Sequence, residues 1–328
     1  MIPFDYARPS TAKAAIDAVV RDKSARFIAG GSNLVDLMKR GVMTPEKIID
    51  INALPLRGIA RTGKTIRIRA LTLNSAVAAD PVITERLPLL AQALKAGASP
   101  QIRNMATVGG NLMQRTRCPY FYDTALPCNK RAPGSGCSAL NGYNRMHAII
   151  GFSESCIAVN PSDMNVALAA LDATVIVQGP KGERHIPIAD FHRLPGNTPQ
   201  LDTNLQRDEL ITAVEIPDAP GFATTSLYTK VRDRASYAFA LVSVAAALHI
   251  ENGSIRDARL AMGGIAHKPW RLRRTEDYIR RQQPSIRLFN NAALADLKEA
   301  RGHGHNNFKL VLAPNTIAQT LRTLAGLA

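Results

Sequence analysis

Acidic residues and aromatics are both scarce in this chain. Asp and Glu together number 26 against 41 Lys and Arg, a formal net charge of +15, and Phe, Trp and Tyr make up 5% of the residues. An excess of base can serve nucleic acid, an anionic cofactor or an acidic partner. So few aromatics leave little to stack on bases, and the basic residues are dispersed, with short clusters only at Arg271-Leu272-Arg273-Arg274 and Arg280-Arg281. Nucleic-acid binding is therefore not expected; a solvated or subunit-facing basic surface is. Long hydrophobic runs are missing as well. None reaches the ~18 residues needed to cross a bilayer, and the longest candidate, 235–250, is broken by Ser236, Ser243 and His249. No membrane insertion is expected. The start, Met1-Ile2-Pro3-Phe4-Asp5-Tyr6, shows no basic segment followed by an apolar one, so no signal peptide of its own is expected.

Signatures of bond-making chemistry are also absent. The chain has no H-E-x-x-H, no Ser-His-Asp order and no paired carboxylates in a convincing context, and nothing marks Glu154 as an acid or base. No catalytic residue is expected. Cysteines number only four, too few for a disulfide scaffold. Yet all of them, Cys118, Cys128, Cys137 and Cys156, fall in one segment. Their spacing contains no C-x-x-C pair, which separates the set from a ferredoxin run or a zinc ribbon. An iron–sulfur cluster, a zinc ion and two disulfides are the readings that four gathered thiols leave open. His147 lies among them and could replace one ligand or stand outside the set.

What is present is a pair of glycine turns, Ala29-Gly30-Gly31-Ser32-Asn33-Leu34 and Ala106-Thr107-Val108-Gly109-Gly110-Asn111-Leu112. The first follows a short apolar strand, Arg26-Phe27-Ile28-Ala29, and opens a helix over 34–39. This order points free backbone amides at a phosphate; the alternative is a plain tight turn. It is not the G-x-G-x-x-G fingerprint. A dinucleotide and a metal centre side by side would make a redox relay.

At 328 residues, with 46% hydrophobic content, the chain is long enough for two or three domains. Helical spacing marks 11–20, 85–96 (stopped by Gly97), a run from Val166 to Leu171 capped by Ser162 or Asp163, and then 274–281, 292–300 and 314–327. Strands are expected at 48–51, 65–70, 174–177, 185–188 and 210–216. Strict alternation over 242–250, an Asn252-Gly253 turn and a return over 255–262 read as a hairpin. The fold class is α+β. A joint at Pro55 and a boundary near Pro217-Asp218-Ala219-Pro220-Gly221 divide the chain into a two-lobed domain 1–221 (1–54 and 55–221, with an insertion at about 114–157) and a compact α+β domain 222–328 with a small antiparallel sheet.

With these motifs placed, the chain resembles the FAD-binding middle subunit of molybdenum hydroxylases, the group that contains xanthine dehydrogenase and carbon monoxide dehydrogenase. The matching elements are the two glycine turns, Arg103-Asn104, Pro161-Ser162-Asp163, Asp208-Glu209-Leu210-Ile211, Glu215-Ile216-Pro217 and Lys230-Val231-Arg232, in the family's order. Ser32 stands where many relatives have Thr. The cysteine segment, from Thr116-Arg117-Cys118-Pro119-Tyr120 through Pro127-Cys128-Asn129-Lys130 to Gly136-Cys137, is similar to the flavin subunit of bacterial periplasmic aldehyde oxidoreductases. A comparable insertion occurs in 4-hydroxybenzoyl-CoA reductases.

The resemblance implies FAD held along Arg26, Phe27, Ile28, Ala29, Gly30, Gly31, Ser32, Asn33 and Leu34, with Thr107, Gly109, Gly110 and Asn111 at the second turn. Asp163 would take hydrogen bonds from ribityl or ribose hydroxyls, and Ile211 and Lys230 would stand beside the isoalloxazine ring. The four cysteines would ligate a [4Fe–4S] cluster. It further implies a large partner with molybdenum cofactor, a small partner with two [2Fe–2S] clusters, and an external electron acceptor. Its location would be periplasmic, by export with a signal-bearing partner, or else cytoplasmic. A self-sufficient flavin oxidase and a zinc-bearing nucleic-acid module are the rival readings.

Overall fold

Three sheets, each with its own helical cover, organise the chain in the computed structural model, which describes residues 1–327. The first is parallel, in the order Asp5–Ala7, Lys47–Asp50, Ala25–Ile28. Parallel strands need crossovers, and the helices Ala12–Arg21 and Leu34–Lys39 supply them. Thr11 caps the first of these by accepting from the Ala14 amide. Its apolar stripe, Ala15, Ile16 and Val19, is buried with Ala25, Ile49, Ile51 and Leu54.

The second sheet is antiparallel, ordered Ile59–Thr62, Thr65–Arg69, Leu210–Pro217, Thr174–Gly179, Gly182–Pro187. On it lie the helices Pro88–Ala96 and Asp163–Ala170. All eight residues of Asp163–Ala170 are buried, so this helix is core on every side. Ser162 caps it, accepting from the Asn165 amide. The helix expected over 85–96 is two: Pro81–Arg86 ends at Leu87, and Pro88, which has no N–H to give, starts the next.

The third sheet, ordered Trp270–Arg271, Ser254–Gly263, Val242–Glu251, Ser226–Val231, is antiparallel throughout. Its hairpin turns at Asn252 (φ 51°) and Gly253 (φ 73°), both left-handed as a two-residue turn of this hand requires. Two expected helices shift. The one placed at 292–300 lies at Ile286–Ala292, capped by Ser285, and the chain beyond turns so that Asp296 can accept from the Thr275 amide and hydroxyl. The last helix runs Lys309–Leu324 and carries Pro314 inside it, because burial of Lys309, Ala313 and Ile317 outweighs the one backbone bond that proline forfeits.

Between the second glycine turn and the cap at Ser162, the cysteine segment has a single short helix, Pro119–Tyr122, and otherwise turns and isolated pairings, Cys128 with Cys137 and Ser153 with Cys156. No helix among the described residues is long and apolar enough to cross a membrane.

Candidate flavin cleft and thiol cavity

The two glycine turns meet, and their contact dictates glycine at specific places. A Cβ at position 30 would lie 1.8 Å from the Met105 carbonyl oxygen, so Gly30 lets the first turn dock against the approach to the second. Gly31 adopts φ 71°, the left-handed region that glycine occupies without strain. Gly109 packs on Ala70, where a Cβ would come within 3.2 Å of the alanine methyl. Only Gly110 faces open space: its Cβ would meet just the Thr107 hydroxyl, which caps that turn by accepting from the Gly110 amide. The glycines therefore serve turn packing first; clearance for a ligand is argued by Gly110 alone.

Where the turns meet, a cleft of about 450 Å³ opens between the first and second sheets. This is within the range of small-molecule sites, roughly 300–1,000 Å³. Arg26, Phe27, Ile28, Ala29, Gly30, Gly31, Ser32, Asn33 and Leu34 line it from one side, and Thr107, Gly109, Gly110 and Ile211 from the other. Residues without a motif complete the wall: Arg115, His192, Gln200, Asp202, Arg207 and His267. They come from the start of the cysteine segment and from loops, so no periodicity marks them in sequence.

The cleft suits an anionic, polar ligand on three observations. Burial, together with Arg207 and Arg115, lowers the Arg26 pKa, and among the described residues neither Arg26 nor Arg207 pairs with a carboxylate. Asn33 Nδ2, His192 Nδ1 and Gln200 Oε1 are buried without hydrogen-bond partners. Burial holds His192 and His267 down to about 4, so both are neutral hydrogen-bonding groups near pH 7.

Three of the expected flavin residues stand off this wall. Asn111 is buried behind it, accepting from the Ser162 hydroxyl at 2.7 Å. Asp163 and Lys230, expected to act separately on hydroxyls and ring, are partners: Lys230 Nζ donates to Asp163 Oδ2 at 2.8 Å and to the Ala96 carbonyl, and the Tyr228 hydroxyl donates to Asp163 Oδ1 at 2.7 Å. Both side chains are under 10% exposed, so the lysine charge is largely spent within the protein. Asp163 does line a smaller cavity of about 120 Å³ with Arg117, His147 and Phe239. This adjoins the cleft, since Thr116, Val159 and Asn160 line both.

Cys118, Cys128, Cys137 and Cys156, together with Thr116, Phe121 and Lys130, line one small cavity. All four thiols are free. Burial pushes Cys118 up to about 12 and Cys156 to about 11. A thiol held that way gives up its proton when a metal takes its place. His147 Nε2 is 3.1 Å from Cys118 Sγ, and burial and Lys309 hold its ring down to about 4. Lys309, fully buried, donates to the carbonyls of His147 and Gly264 and so fixes this loop to the last helix. Among the described residues, no three His, Cys, Asp or Glu side chains are grouped as one metal ion would need. Thiolates around a single zinc would sit roughly 3.8 Å apart, given Zn–S near 2.3 Å.

Comparisons with known proteins give the family and the fold. Residues 2–219 match the FAD binding domain in molybdopterin dehydrogenase, and residues 226–324 the CO dehydrogenase flavoprotein C-terminal domain. The chain is 48% identical over 326 residues to the aldehyde oxidoreductase FAD-binding subunit PaoB of Escherichia coli (strain K12), covering 98% of each. It is 26% identical over 334 residues to the carbon monoxide dehydrogenase medium chain of Hydrogenophaga pseudoflava, covering 98% of this chain and 97% of that one. A solved carbon monoxide dehydrogenase from Hydrogenophaga pseudoflava shares the fold over the full length of both chains, with a TM-score of 0.78 at 24% identity. Because the matched domains span nearly all of the sequence and a relative 48% identical matches it over its full length, the chain belongs to the FAD-binding medium subunits of the molybdenum hydroxylase family.

Proposed function

We propose that this chain is the electron-transfer subunit of a three-component, molybdenum-dependent aldehyde oxidoreductase, carrying FAD in the cleft and a [4Fe–4S] cluster on Cys118, Cys128, Cys137 and Cys156. Electrons would arrive from [2Fe–2S] clusters of a small partner and leave to an external acceptor; aldehyde oxidation would take place on the large partner. The observation that carries the reading is the placement of a cationic cleft beside a cavity walled by four free thiols. The full-length similarity to an aldehyde oxidoreductase subunit supports the substrate class.

Bound FAD supplies reversible two-electron chemistry. The chain's own residues supply the rest. The amides of the turn at 30–33 would hold phosphate, helped by Arg26 and Arg207, which line the cleft while their Nη1 atoms donate to backbone carbonyls. Asn33, His192 and Gln200 have hydrogen bonds left to make. The rival, a self-sufficient flavin oxidase, would be favoured by a free carboxylate beside the ligand. Here the cleft's carboxylates are already engaged, Asp202 by Lys130 and Arg115 and Glu209 by Arg184.

Anaerobic purification with the partner subunits tests the reading. The denatured complex should release FAD, not FMN, and hold about four iron atoms beyond those of the partners, following the ligand stoichiometry. FAD without the additional iron would remove the cluster and keep the flavin; neither present would remove the reading. Turnover of aldehyde by the chain alone would favour the oxidase.

A further inference from the structure

The cleft and the thiol cavity are joined by an ionic chain that is buried at Lys130 and half-buried at Asp202 and Arg115. Lys130 lies two residues after Cys128 and lines the thiol cavity but not the cleft. Its side chain is 1% exposed, and Nζ donates to the Pro199 carbonyl at 2.8 Å and to Asp202 Oδ1. Asp202 lines the cleft but not the thiol cavity. Its second oxygen accepts from Arg115 Nε at 2.8 Å. Arg115 stacks over Phe121, a wall residue of the thiol cavity, with its guanidinium carbon 4.7 Å from the ring centroid. The Arg115 amide donates to Asn33 Oδ1 at 3.0 Å, so the chain ends on the first glycine turn.

A buried lysine is costly alone and tolerable beside a carboxylate, here the half-buried Asp202. Displacing the thiol loop would move Lys130 and leave Asp202 with Arg115 as its remaining cation. Moving Asp202 would strand Lys130 beside the thiols. Arg115 would transmit either change to Asn33. Hydrophobic packing could have joined the two sites without this cost, and so the charge pair is the feature to explain.

We propose that Lys130, Asp202 and Arg115 are positioning residues that couple the two cofactor sites, so that each cofactor is held more tightly when the other is in place. The inference rests on the reading that this chain holds both FAD and a cluster. Binding linkage is reciprocal, so either direction can be measured.

The experiment uses the complex with its partner subunits. FAD affinity is measured by flavin fluorescence before and after iron is stripped from this chain with a chelator. In the unmodified protein, stripping should weaken FAD binding about tenfold, within the range of couplings between sites. In Lys130→Met/Asp202→Leu, which removes both charges of the pair together, stripping should leave FAD affinity within twofold. Single variants give the reverse direction: Asp202→Asn, on the flavin side, should speed iron loss to chelator while FAD is saturating. Unlinked FAD affinity in the unmodified protein, or the same tenfold effect in the double variant, would overturn the coupling. If the double variant fails to fold, Arg115→Gln, which leaves Lys130 and Asp202 paired, should reduce the tenfold effect; an unreduced effect counts against the chain of contacts. A complex holding full iron and FAD without linkage defeats the coupling alone, whereas one purified without iron on this chain defeats the cluster reading as well.

Discussion

Gly30→Ala is expected to empty the cleft of flavin. The added methyl would lie 1.8 Å from a backbone oxygen, that of Met105, and 3.2 Å from the Ala106 Cα, so no side-chain rotation relieves it. One turn must withdraw from the other, and the cleft wall is made of both. Forcing atoms into a packed contact costs about 1–3 kcal/mol, occasionally more, and here the strain falls on the wall itself. We expect FAD per chain to fall at least tenfold, measured after denaturation, with secondary structure by circular dichroism largely kept. Gly110→Val is the matched comparison. Its side chain would enter the open side of the turn, next to the Thr107 hydroxyl, and should weaken FAD by occupying ligand space without parting the turns. Full flavin in Gly30→Ala would show that the contact between the turns does not shape the site.

Replacing Cys128 or Cys137 with serine should remove about four iron atoms per complex, since a cubane that loses one of four ligands is rarely retained. These two are the better choices. They pair across an isolated bridge in the cavity wall, and among the described residues no hydrogen bond ties a histidine to either. Cys118 has His147 Nε2 3.1 Å from its sulfur, and that imidazole could take over ligation in Cys118→Ser. Serine preserves the size of the side chain, so a loss of iron reports ligation more than packing. Iron analysis with electron paramagnetic resonance of the reduced complex reads the result. Unchanged iron in both variants would end the assignment to these thiols.

Much of this architecture can be read from local pattern. The helix Leu34–Lys39 follows its turn as expected, the strand Thr65–Arg69 alternates buried and exposed residues, and Asn252-Gly253 marks its hairpin because few other pairs accept two left-handed residues. The helix break at Leu87 shows what periodicity misses: the apolar spacing runs on across Pro88, but the backbone cannot. The site divides in the same way. The glycine turns are visible because close packing and, at Gly31, a left-handed backbone restrict residue type. Arg115, His192, Gln200, Asp202 and Arg207 are invisible because they belong to irregular segments brought together only by tertiary folding. The Asp163–Lys230 pair joins residues 67 positions apart. Each carries a motif on its own, and neither motif announces the other.

The cleft is also a gap in the hydrophobic interior. Val19, Ala25 and Ile51 face it from the first core, and Ala70, Leu112 and Ile211 from the second. A ligand filling that gap is bound by the native state alone, so it adds to the free energy of unfolding, by about 2.7 kcal/mol at a hundred times its dissociation constant. The melting temperature of the flavin-free chain should accordingly rise with added FAD. Amide hydrogen exchange should slow most at 26–34 and 107–116, where the two cores face each other across the gap, and least in the hairpin around Asn252. The seam that admits the cofactor would then be the place where this protein begins to come apart without it.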